Sequence, residues 1–331
     1  MLKKLSLCTL SLAFALSLGF TGPAFGAKTI KINLAHGGDP VHPWHIAAQK
    51  FAEEVKEKSE GEIDVRIYTA GQMGGDREML ESTQSGALQM SAVSTMAMSG
   101  FEPSMQIFDL PYLMPDYKTA YRVLDGEIGE KVSSALLKKG IRNLAYWEND
   151  YRQLSNSRRP IASIKDVAGL KIRVPETPIL IGWLEGLKAI PTPISYTELY
   201  TSLQQGVVDG QDNGILLMHS AKYYEVQKYY TLTNHIYAPV AFIINERFYQ
   251  KLSPQQQIII KVAAENARDF QRELSAERRA TRLIEMKKAG LEVTELSPQA
   301  MAAFRESAKP VYEKMKSAVN QQLLQQIRDL K

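Results

Sequence analysis

The feature that most constrains the fold is a long segment near the C-terminal end with no helix-breaking residue in its interior. Residues 253–289 contain no glycine, and their only proline is Pro254. Ser253 followed by Pro254 is typical of a helix start, because Ser caps free N–H groups and Pro fits the first turn. At 1.5 Å per residue such a helix would be roughly 55 Å long, which exceeds the diameter of one small domain. The segment therefore predicts a surface helix that spans two lobes.

The first residues are typical of a secretory signal peptide. Lys3 and Lys4 precede an apolar run over residues 5–20, and small residues at 24–27 offer a cleavage site. The run is shorter than the ~20 apolar residues that a membrane-spanning helix needs. We therefore predict that residues 1–26 are removed during export.

Cleavage would leave a chain of nearly balanced charge without cysteine. Residues 1–26 hold the only cysteine, Cys8, and two of the 40 basic residues. The remaining 38 basic residues against 36 acidic ones give a net charge of +2 (38 − 36 = 2). A mature chain of this kind has no disulfide and no Cys-based metal site. A charge so close to zero gives no reason to expect nucleic-acid or membrane binding.

Hydrophobic patterning predicts strands that alternate with helices in the first part of the chain. Alternating apolar residues predict strands near 30–34 and 63–67, and a third strand is predicted at 87–94. Helices are predicted from about Pro43 and from Asp76, which we expect to be an N-cap. This order predicts a mainly parallel sheet with helices on its faces.

The same alternation of predicted strands and helices begins again further along the chain. Strands are predicted at 141–147 and 170–174, and a short strand with a turn at 207–213. The Ser-x-x-Glu pattern at 195–198 predicts a capping box that opens a helix. Two α/β units fit a chain of 331 residues, at about 100–200 residues per domain.

Motifs of common catalytic and cofactor sites do not occur. The sequence has no G-x-S-x-G elbow, Walker A loop, G-x-G-x-x-G fingerprint or H-E-x-x-H helix. The glycines of GQMGGD (71–76) have the wrong spacing for a phosphate cradle and predict a tight turn. No carboxylate or cysteine near His36, His42 and His45 completes a metal site at a characteristic spacing. We therefore predict no enzyme, cofactor or metal, and treat His36 as either a hydrogen-bonding pocket residue or a plain turn residue.

Arg173 occupies a position where α/β proteins bind ligands. Ile172 and Val174 flank it in a strand pattern that Pro175 ends, and ligands bind at the carboxyl ends of strands in open α/β sheets. A buried arginine needs an anionic partner, and its planar guanidinium matches a carboxylate through two parallel N–H···O bonds. Arg173 is therefore a candidate residue for binding the carboxylate of a ligand. The alternative is a structural ion pair at the end of the strand.

Several segments closely resemble the DctP-type solute receptors of tripartite ATP-independent periplasmic (TRAP) transporters. The segments are GLKIRVPE (169–176), PTPISYTELYTSLQQGVVDGQDN (191–213), residues 42–90, FDLPYLMPD (108–116) and TNHIYAP (233–239). Together they extend over essentially the whole mature chain. The resemblance implies an α/β fold: a two-lobed periplasmic-binding-protein clamshell with crossing hinge strands and a long lobe-spanning helix.

The resemblance also gives expected boundaries. We expect a signal peptide at 1–26, lobe I at 27–149 with roughly 239–272 returning to it, lobe II at 150–238 with roughly 279–331 returning to it, and a long helix at 253–289.

Four ligand-binding roles follow from the resemblance. Arg173 in KIRVP clamps the ligand carboxylate, and Asn213 orients Arg173 and touches that carboxylate. Arg152 is a second arginine of the pocket, and Tyr196 packs on the ligand. Lobe I would contact the rest of the ligand through His36, Asp76 and Ser94.

The sequence departs from the family pattern at two glycine positions. Lys188 stands where the family usually has a glycine before A-x-P-x-P, and residues 149–151 (NDY) replace the glycine that usually precedes the second arginine. These changes do not touch Arg173, but they weaken any inference of the ligand by analogy.

The resemblance implies a periplasmic receptor, expected to be a monomer, that delivers an organic acid to a membrane permease. Two arginines with hydroxyl, carboxylate and imidazole candidates favour a sugar acid such as a hexuronate or aldonate. The alternatives are a C4-dicarboxylate that engages Arg152, a small 2-hydroxy or 2-oxo acid, and an aromatic acid packed on Trp147 and Tyr196. A periplasmic sensor module could use the same fold. An exported enzyme for acidic sugars is disfavoured, because no acid–base pair occurs at a recognisable spacing.

Overall fold

Two β-sheets organise the computed structural model, which describes residues 29–330. The predicted signal peptide lies outside these residues. The strands are β1 (Ile30–His36), β2 (Ile63–Tyr68), β3 (Met90–Ser94), β4 (Ile141–Tyr151), β5 (Gln153–Asn156), β6 (Lys171–Val174), β7 (Ile190–Pro193), β8 (Gly210–Asn213), β9 (Tyr229–Leu232), β10 (Tyr237–Asn245) and β11 (Glu292–Glu295).

Helices cover the faces of both sheets. They are α1 (Pro43–Lys58), α2 (Asp76–Ser85), α3 (Tyr117–Asp125), α4 (Glu127–Ser134), α5 (Pro178–Gly186), α6 (Leu199–Gln204), α7 (Ile215–Ser220), α8 (Glu246–Tyr249), α9 (Pro254–Lys288), α10 (Pro298–Glu306), α11 (Lys309–Lys314) and α12 (Gln321–Asp329). Within residues 29–330, none of them combines the length and apolar character that crossing a membrane requires.

Each sheet mixes parallel and antiparallel pairs. The first has the order β2-β1-β3-β10-β4, with β1 parallel to β2 and β3, and β10 antiparallel to β3 and β4. The second has the order β11-β9-β5-β8-β6-β7, in which β6 is parallel to β7 and β8, while β5 is antiparallel to β8 and β9. The parallel β-α-β-α-β unit is confirmed for β1 to β3, and β10, which follows β9 of the second sheet, joins it.

Two chain segments cross between the sheets. β4 belongs to the first sheet and β5 to the second, and Arg152 joins them. β9 and β10 make the reverse crossing through residues 233–236. The two segments are hydrogen-bonded to each other, since Arg152 N donates to the Ile236 carbonyl (2.8 Å) and His235 N donates to the Arg152 carbonyl (3.2 Å). These crossings agree with the predicted hinge strands, while the residue boundaries of the lobes stay predictions.

Helix α9 begins as the sequence predicts and reaches both sheets. The Ser253 hydroxyl accepts from Gln256 N, and Ser253 N donates to the Gln256 side chain, which makes a capping box. Ile260 packs in the core of the first sheet, whereas Met286, near the other end, packs in the core of the second. In between, the Gln271 side chain forms two hydrogen bonds with the backbone of β4.

Two predicted helix starts are wrong in detail. Gly75, not Asp76, is the N-cap of α2, and Asp76 is the first helical residue. The Ser-x-x-Glu pattern at 195–198 forms no capping box. There the chain makes a 3₁₀ turn before α6, and the Ser195 hydroxyl lies 3.1 Å from the Thr197 hydroxyl instead of capping the helix.

The positions that depart from the family's glycine pattern have left-handed backbone. Lys188, between α5 and β7, has φ 61°, and Asp150, just before the crossing, has φ 63°. Glycine adopts this region at no steric cost, which explains why it suits both places.

Candidate functional site

A cavity of about 120 Å³ lies between the two halves of the molecule. Residues from both sheets and their helices form its wall, so that a molecule bound there would contact both halves. Six of the seven predicted site residues line it, namely Asp76, Ser94, Arg152, Arg173, Tyr196 and Asn213.

Arg173 is a buried cation without an acidic partner. It lies in β6, between β7 and β8, and only 4% of it is exposed. Its Nε donates to the carbonyl of Ile194, 2.8 Å away, and within residues 29–330 no carboxylate oxygen approaches the guanidinium to 4.0 Å. Burial lowers the pKa of Arg173 below its usual value, because the charge is removed from water. Arginine stays protonated in proteins, so the cavity wall carries a positive charge that no carboxylate of residues 29–330 contacts directly.

Arg152, by contrast, has its partner within the chain. Its Nη2 donates to Asp212 Oδ1 (2.8 Å), and its Nε donates to Oδ2 of the same carboxylate. His235 Nε2 is 3.1 Å from that Oδ2. Burial raises the pKa of Asp212, but the charge and hydrogen bonds of Arg152 outweigh burial and hold it well below its usual range. The expected second arginine therefore lines the cavity as half of a buried ion pair.

Asn213 does not orient Arg173 in this structure. Its Nδ2 donates to Gln211 Oε1 (2.7 Å), and its carbonyl accepts from the Tyr230 hydroxyl (3.1 Å). The Nε of Arg173 is oriented by the Ile194 carbonyl instead. Ile194 directly follows β7, which pairs with β6 and so brings this carbonyl close to Arg173. Asn213 still lines the cavity, where its contact with a ligand stays a prediction.

Tyr196 lies two residues after Ile194, whose carbonyl accepts the hydrogen bond from Arg173. Its ring is half-buried in the cavity wall, with its centroid 6.4 Å from that of Tyr223. Burial raises the pKa of its hydroxyl well above the usual value, so Tyr196 is a neutral aromatic surface at physiological pH.

Asp76 and Ser94 add polar groups from the opposite side. Burial raises the pKa of Asp76 to about 6, although the charges of Arg173 and Arg152 lower it in part. The carboxyl of Asp76 is therefore able to accept or donate a hydrogen bond near neutral pH. Ser94 ends β3, and its hydroxyl accepts from Met96 N at 3.3 Å.

His36 and Trp147 lie outside the cavity, contrary to expectation. His36 is fully buried at the end of β1, where its Nε2 is 3.3 Å from His45 Nδ1. Burial lowers the pKa of His36 to about 3, so its ring is neutral. Trp147 stacks on Phe242 in the core of the first sheet, with ring centroids 4.4 Å apart. Both side chains lie toward helix α1, His36 through His45 and Trp147 through Phe242, which packs on Phe51.

Among the wall residues that were not predicted as site residues, Trp44, Asn149 and Leu217 are the most informative. Trp44, in the first turn of α1, donates from Nε1 to the Glu148 carbonyl (2.8 Å) and presents its ring to the cavity. Asn149 and Leu217 also line it. Asn149 lies near the carboxyl end of β4, so the rule that identified Arg173 could also have identified it. Trp44 lies on the buried face of α1, where an aromatic residue is expected for packing alone, so the sequence gives no signal for its place in the cavity.

Comparison with known proteins identifies the family. The model of the DctP family, described as bacterial extracellular solute-binding protein, family 7, matches residues 34–318. The chain belongs to this family. Its members are the solute receptors of TRAP transporters: periplasmic proteins that bind small organic acids and work with membrane permeases, not enzymes.

Individual relatives agree over most of their length. The C4-dicarboxylate-binding periplasmic protein DctP of Rhodobacter capsulatus is 35% identical over 92% of this chain and 91% of its own length. The 2,3-diketo-L-gulonate-binding periplasmic protein YiaO of Escherichia coli K12 is 35% identical over 78% of this chain and 79% of its own. The structure of the sugar acid binding protein DctPAm of Advenella mimigardefordensis, solved with galactonate, superposes with a TM-score of 0.89 at 33% identity. The match covers 92% of this chain and 98% of that one. The predicted two-lobed fold is confirmed.

Proposed function

We propose that this TRAP receptor captures a sugar acid, such as an aldonate or a hexuronate, by clamping its carboxylate on Arg173. The observation that carries the proposal is the buried guanidinium of Arg173, which faces the cavity without an acidic partner in residues 29–330. A ligand carboxylate would supply the missing charge, and exclusion of water would strengthen the pair.

Charge balance in the cavity favours one carboxylate over two. Arg152 is neutralised by Asp212 and Arg77 pairs with Glu176, so Arg173 is the cation left for a ligand. A second carboxylate at Arg152 would compete with Asp212, and near Asp76 it would meet a group that ionises at about pH 6. A monocarboxylate avoids both costs.

The rest of the wall suits a hydroxylated carbon chain. Asp76, Ser94 and Asn149 offer hydrogen-bonding groups, while Trp44 and Tyr196 offer aromatic surfaces for C–H groups. Such a combination of a few polar groups and apolar rings is typical of small-molecule pockets. The named ligands of two similar proteins, galactonate and 2,3-diketo-L-gulonate, belong to the proposed class.

A C4-dicarboxylate is the second candidate, because the similar protein of Rhodobacter capsulatus is named for binding one. It would require Arg152 to exchange part of its contact with Asp212 for the second carboxylate.

In the proposed cycle, the chain is exported after removal of residues 1–26 and meets its ligand with the lobes apart. The carboxylate docks on Arg173 in the second lobe, and closure about the crossing strands brings Asp76 and Ser94 onto the rest of the ligand. The permease would distinguish the closed receptor from the open one.

A thermal-shift screen tests this proposal. Residues 27–331 are heated with aldonates, hexuronates, C4-dicarboxylates and, as a matched control, the sugar alcohol that lacks the carboxylate. A ligand at ~100 times its Kd adds about 2.7 kcal/mol, which amounts to several degrees. We expect a large shift with a sugar acid and none with its alcohol. Larger shifts with C4-dicarboxylates would favour the second candidate, and equal shifts with acid and alcohol would overturn the carboxylate clamp.

A further inference from the structure

The glycine-rich turn GQMGGD (71–76) has no role in the ligand contacts described above, apart from Asp76. It connects β2 to α2 in the first half of the molecule. It faces the segment Ser195–Thr197, which follows β7 in the second half. The turn and this segment therefore meet across the cleft, at the edge of the ligand cavity.

Gly75 is not required by the backbone of the turn. Its φ of −76° is open to any residue. A Cβ added to Gly75 would lie 2.7 Å from the hydroxyl oxygen of Ser195 and 3.0 Å from Glu78 Oε2. No other heavy atom of the second half lies within 4 Å of that Cβ. What Gly75 provides is thus room for Ser195.

Two further pairs of residues lie close together across the cleft between the two halves. A Cβ on Gly71 would lie 2.8 Å from Thr197 Cγ2, although the positive φ of Gly71 (69°) gives this glycine a backbone role as well. Arg77, the second residue of α2, forms an exposed ion pair with Glu176 at 3.3 Å. An exposed pair contributes little, so close packing of the glycine backbone dominates this contact.

We propose that Gly75 and Ser195 form the contact that sets how far the two lobes close over the ligand. Gly75 is a positioning residue: because it has no side chain, Ser195 can approach, and Arg173 and Asp76 can reach the same ligand from opposite sides. The inference rests on the proposed capture of an acid by lobe closure. A methyl group at position 75 obstructs the closed state, and the open state has room for it.

The test is a double-mutant cycle read by calorimetric titration of the acid that gives the largest thermal shift. Gly75→Ala should weaken binding measurably, since the added methyl group and the Ser195 hydroxyl cannot both keep their places in the closed state. The same substitution in a Ser195→Ala background should weaken binding much less, because the obstructing oxygen is gone. Gly100→Ala is the matched control, as Gly100 is exposed and a Cβ there meets nothing within 4 Å.

The cycle also separates closure from helix capping. Gly75 caps α2, so Gly75→Ala can lower the melting temperature of the free protein, but it would do so equally in both backgrounds. Small-angle scattering should show that ligand compacts the wild type more than Gly75→Ala. Equal effects of Gly75→Ala on affinity in both backgrounds, or none in either, would overturn the inference alone. A wild type that binds no acid would overturn the proposed function and this inference with it.

Discussion

At the residue scale, the left-handed backbone of Lys188 is a local strain that a glycine would relieve. Lys188 N donates to the Glu185 carbonyl and its own carbonyl accepts from Gly169 N, so the turn between α5 and β7 fixes its φ at 61°. The side chain is exposed. An L-residue in this region costs about 1–2 kcal/mol of strain. Glycine would remove this strain, but part of the gain in stability would be lost because glycine increases the conformational entropy of the unfolded chain.

We therefore predict that Lys188→Gly raises the free energy of unfolding by about 0.5–1 kcal/mol, measured by urea denaturation. Glu53→Gly is the control, because Glu53 is an exposed residue inside helix α1, where glycine should cost about 1 kcal/mol. If both substitutions destabilise the protein, the strain assigned to Lys188 is wrong.

How far the site could be predicted depends on what fixes each side chain. Arg173 follows from strand pattern, Pro175 and the chemistry of guanidinium, all of which are local. The pairing of Arg152 with Asp212 depends on two strands that are distant in sequence meeting side by side, which no local pattern shows. His36 and Trp147 were misplaced for a related reason, since a strand's period tells which residues share a face but not which face meets the cavity.

At the scale of elements, helix α9 is fastened to the crossing strand β4 by a buried polar cluster. Arg279 of α9 donates to Glu148 Oε1 (2.6 Å) and to Asp150 Oδ1 (3.0 Å), and the Tyr121 hydroxyl donates to Glu148 Oε2 (2.6 Å). Two carboxylates thus share one guanidinium. Burial, and then the charge of Asp150, raise the pKa of Glu148 to about 7.

This cluster predicts a pH dependence. Between about pH 4.5 and pH 7 the folded protein holds a proton on Glu148 that the unfolded chain has released, so this carboxyl lowers stability as the pH rises. Glu148→Gln cannot lose that proton. Relative to the wild type, the variant should gain roughly 1–3 kcal/mol between pH 5 and pH 8 in urea unfolding. Glu53→Gln, an exposed change on α1, is the control. A wild type-to-variant difference that is equal at both pH values would contradict the prediction.

The Gln271 side chain also connects α9 to β4 through hydrogen bonds. Its Oε1 accepts from Glu148 N (2.8 Å) and its Nε2 donates to the Glu148 carbonyl (3.0 Å), in a fully buried position. Gln271→Leu should cost about 1–3 kcal/mol of unfolding free energy, because Glu148 N loses its partner away from water. Gln325→Leu on the exposed face of α12 should cost far less. Equal losses would show that the contact with β4 contributes nothing specific.

At the scale of the whole molecule, the parts combine into a receptor with one hinge and one cleft. The length of α9 and the repeated α/β rhythm were readable from sequence because both depend on periodicity along a continuous segment. The return of β10 to the first sheet and of β11 to the second depends on long-range pairing, and it was expected only from the family resemblance. The monomeric state and the lobe boundaries stay predictions, which light scattering and domain-resolved hydrogen exchange would test.

The most direct test of the account is the affinity of Arg173→Lys for the acid selected by the thermal-shift screen, measured by isothermal titration calorimetry. Lysine keeps the charge but cannot make two parallel bonds to a carboxylate, so we predict a loss of about 1–3 kcal/mol, or roughly 5- to 150-fold in Kd. Arg247→Lys, an exposed change on α8, should leave Kd unchanged. A Kd for Arg173→Lys equal to that of the wild type would contradict the proposal that Arg173 clamps the ligand carboxylate.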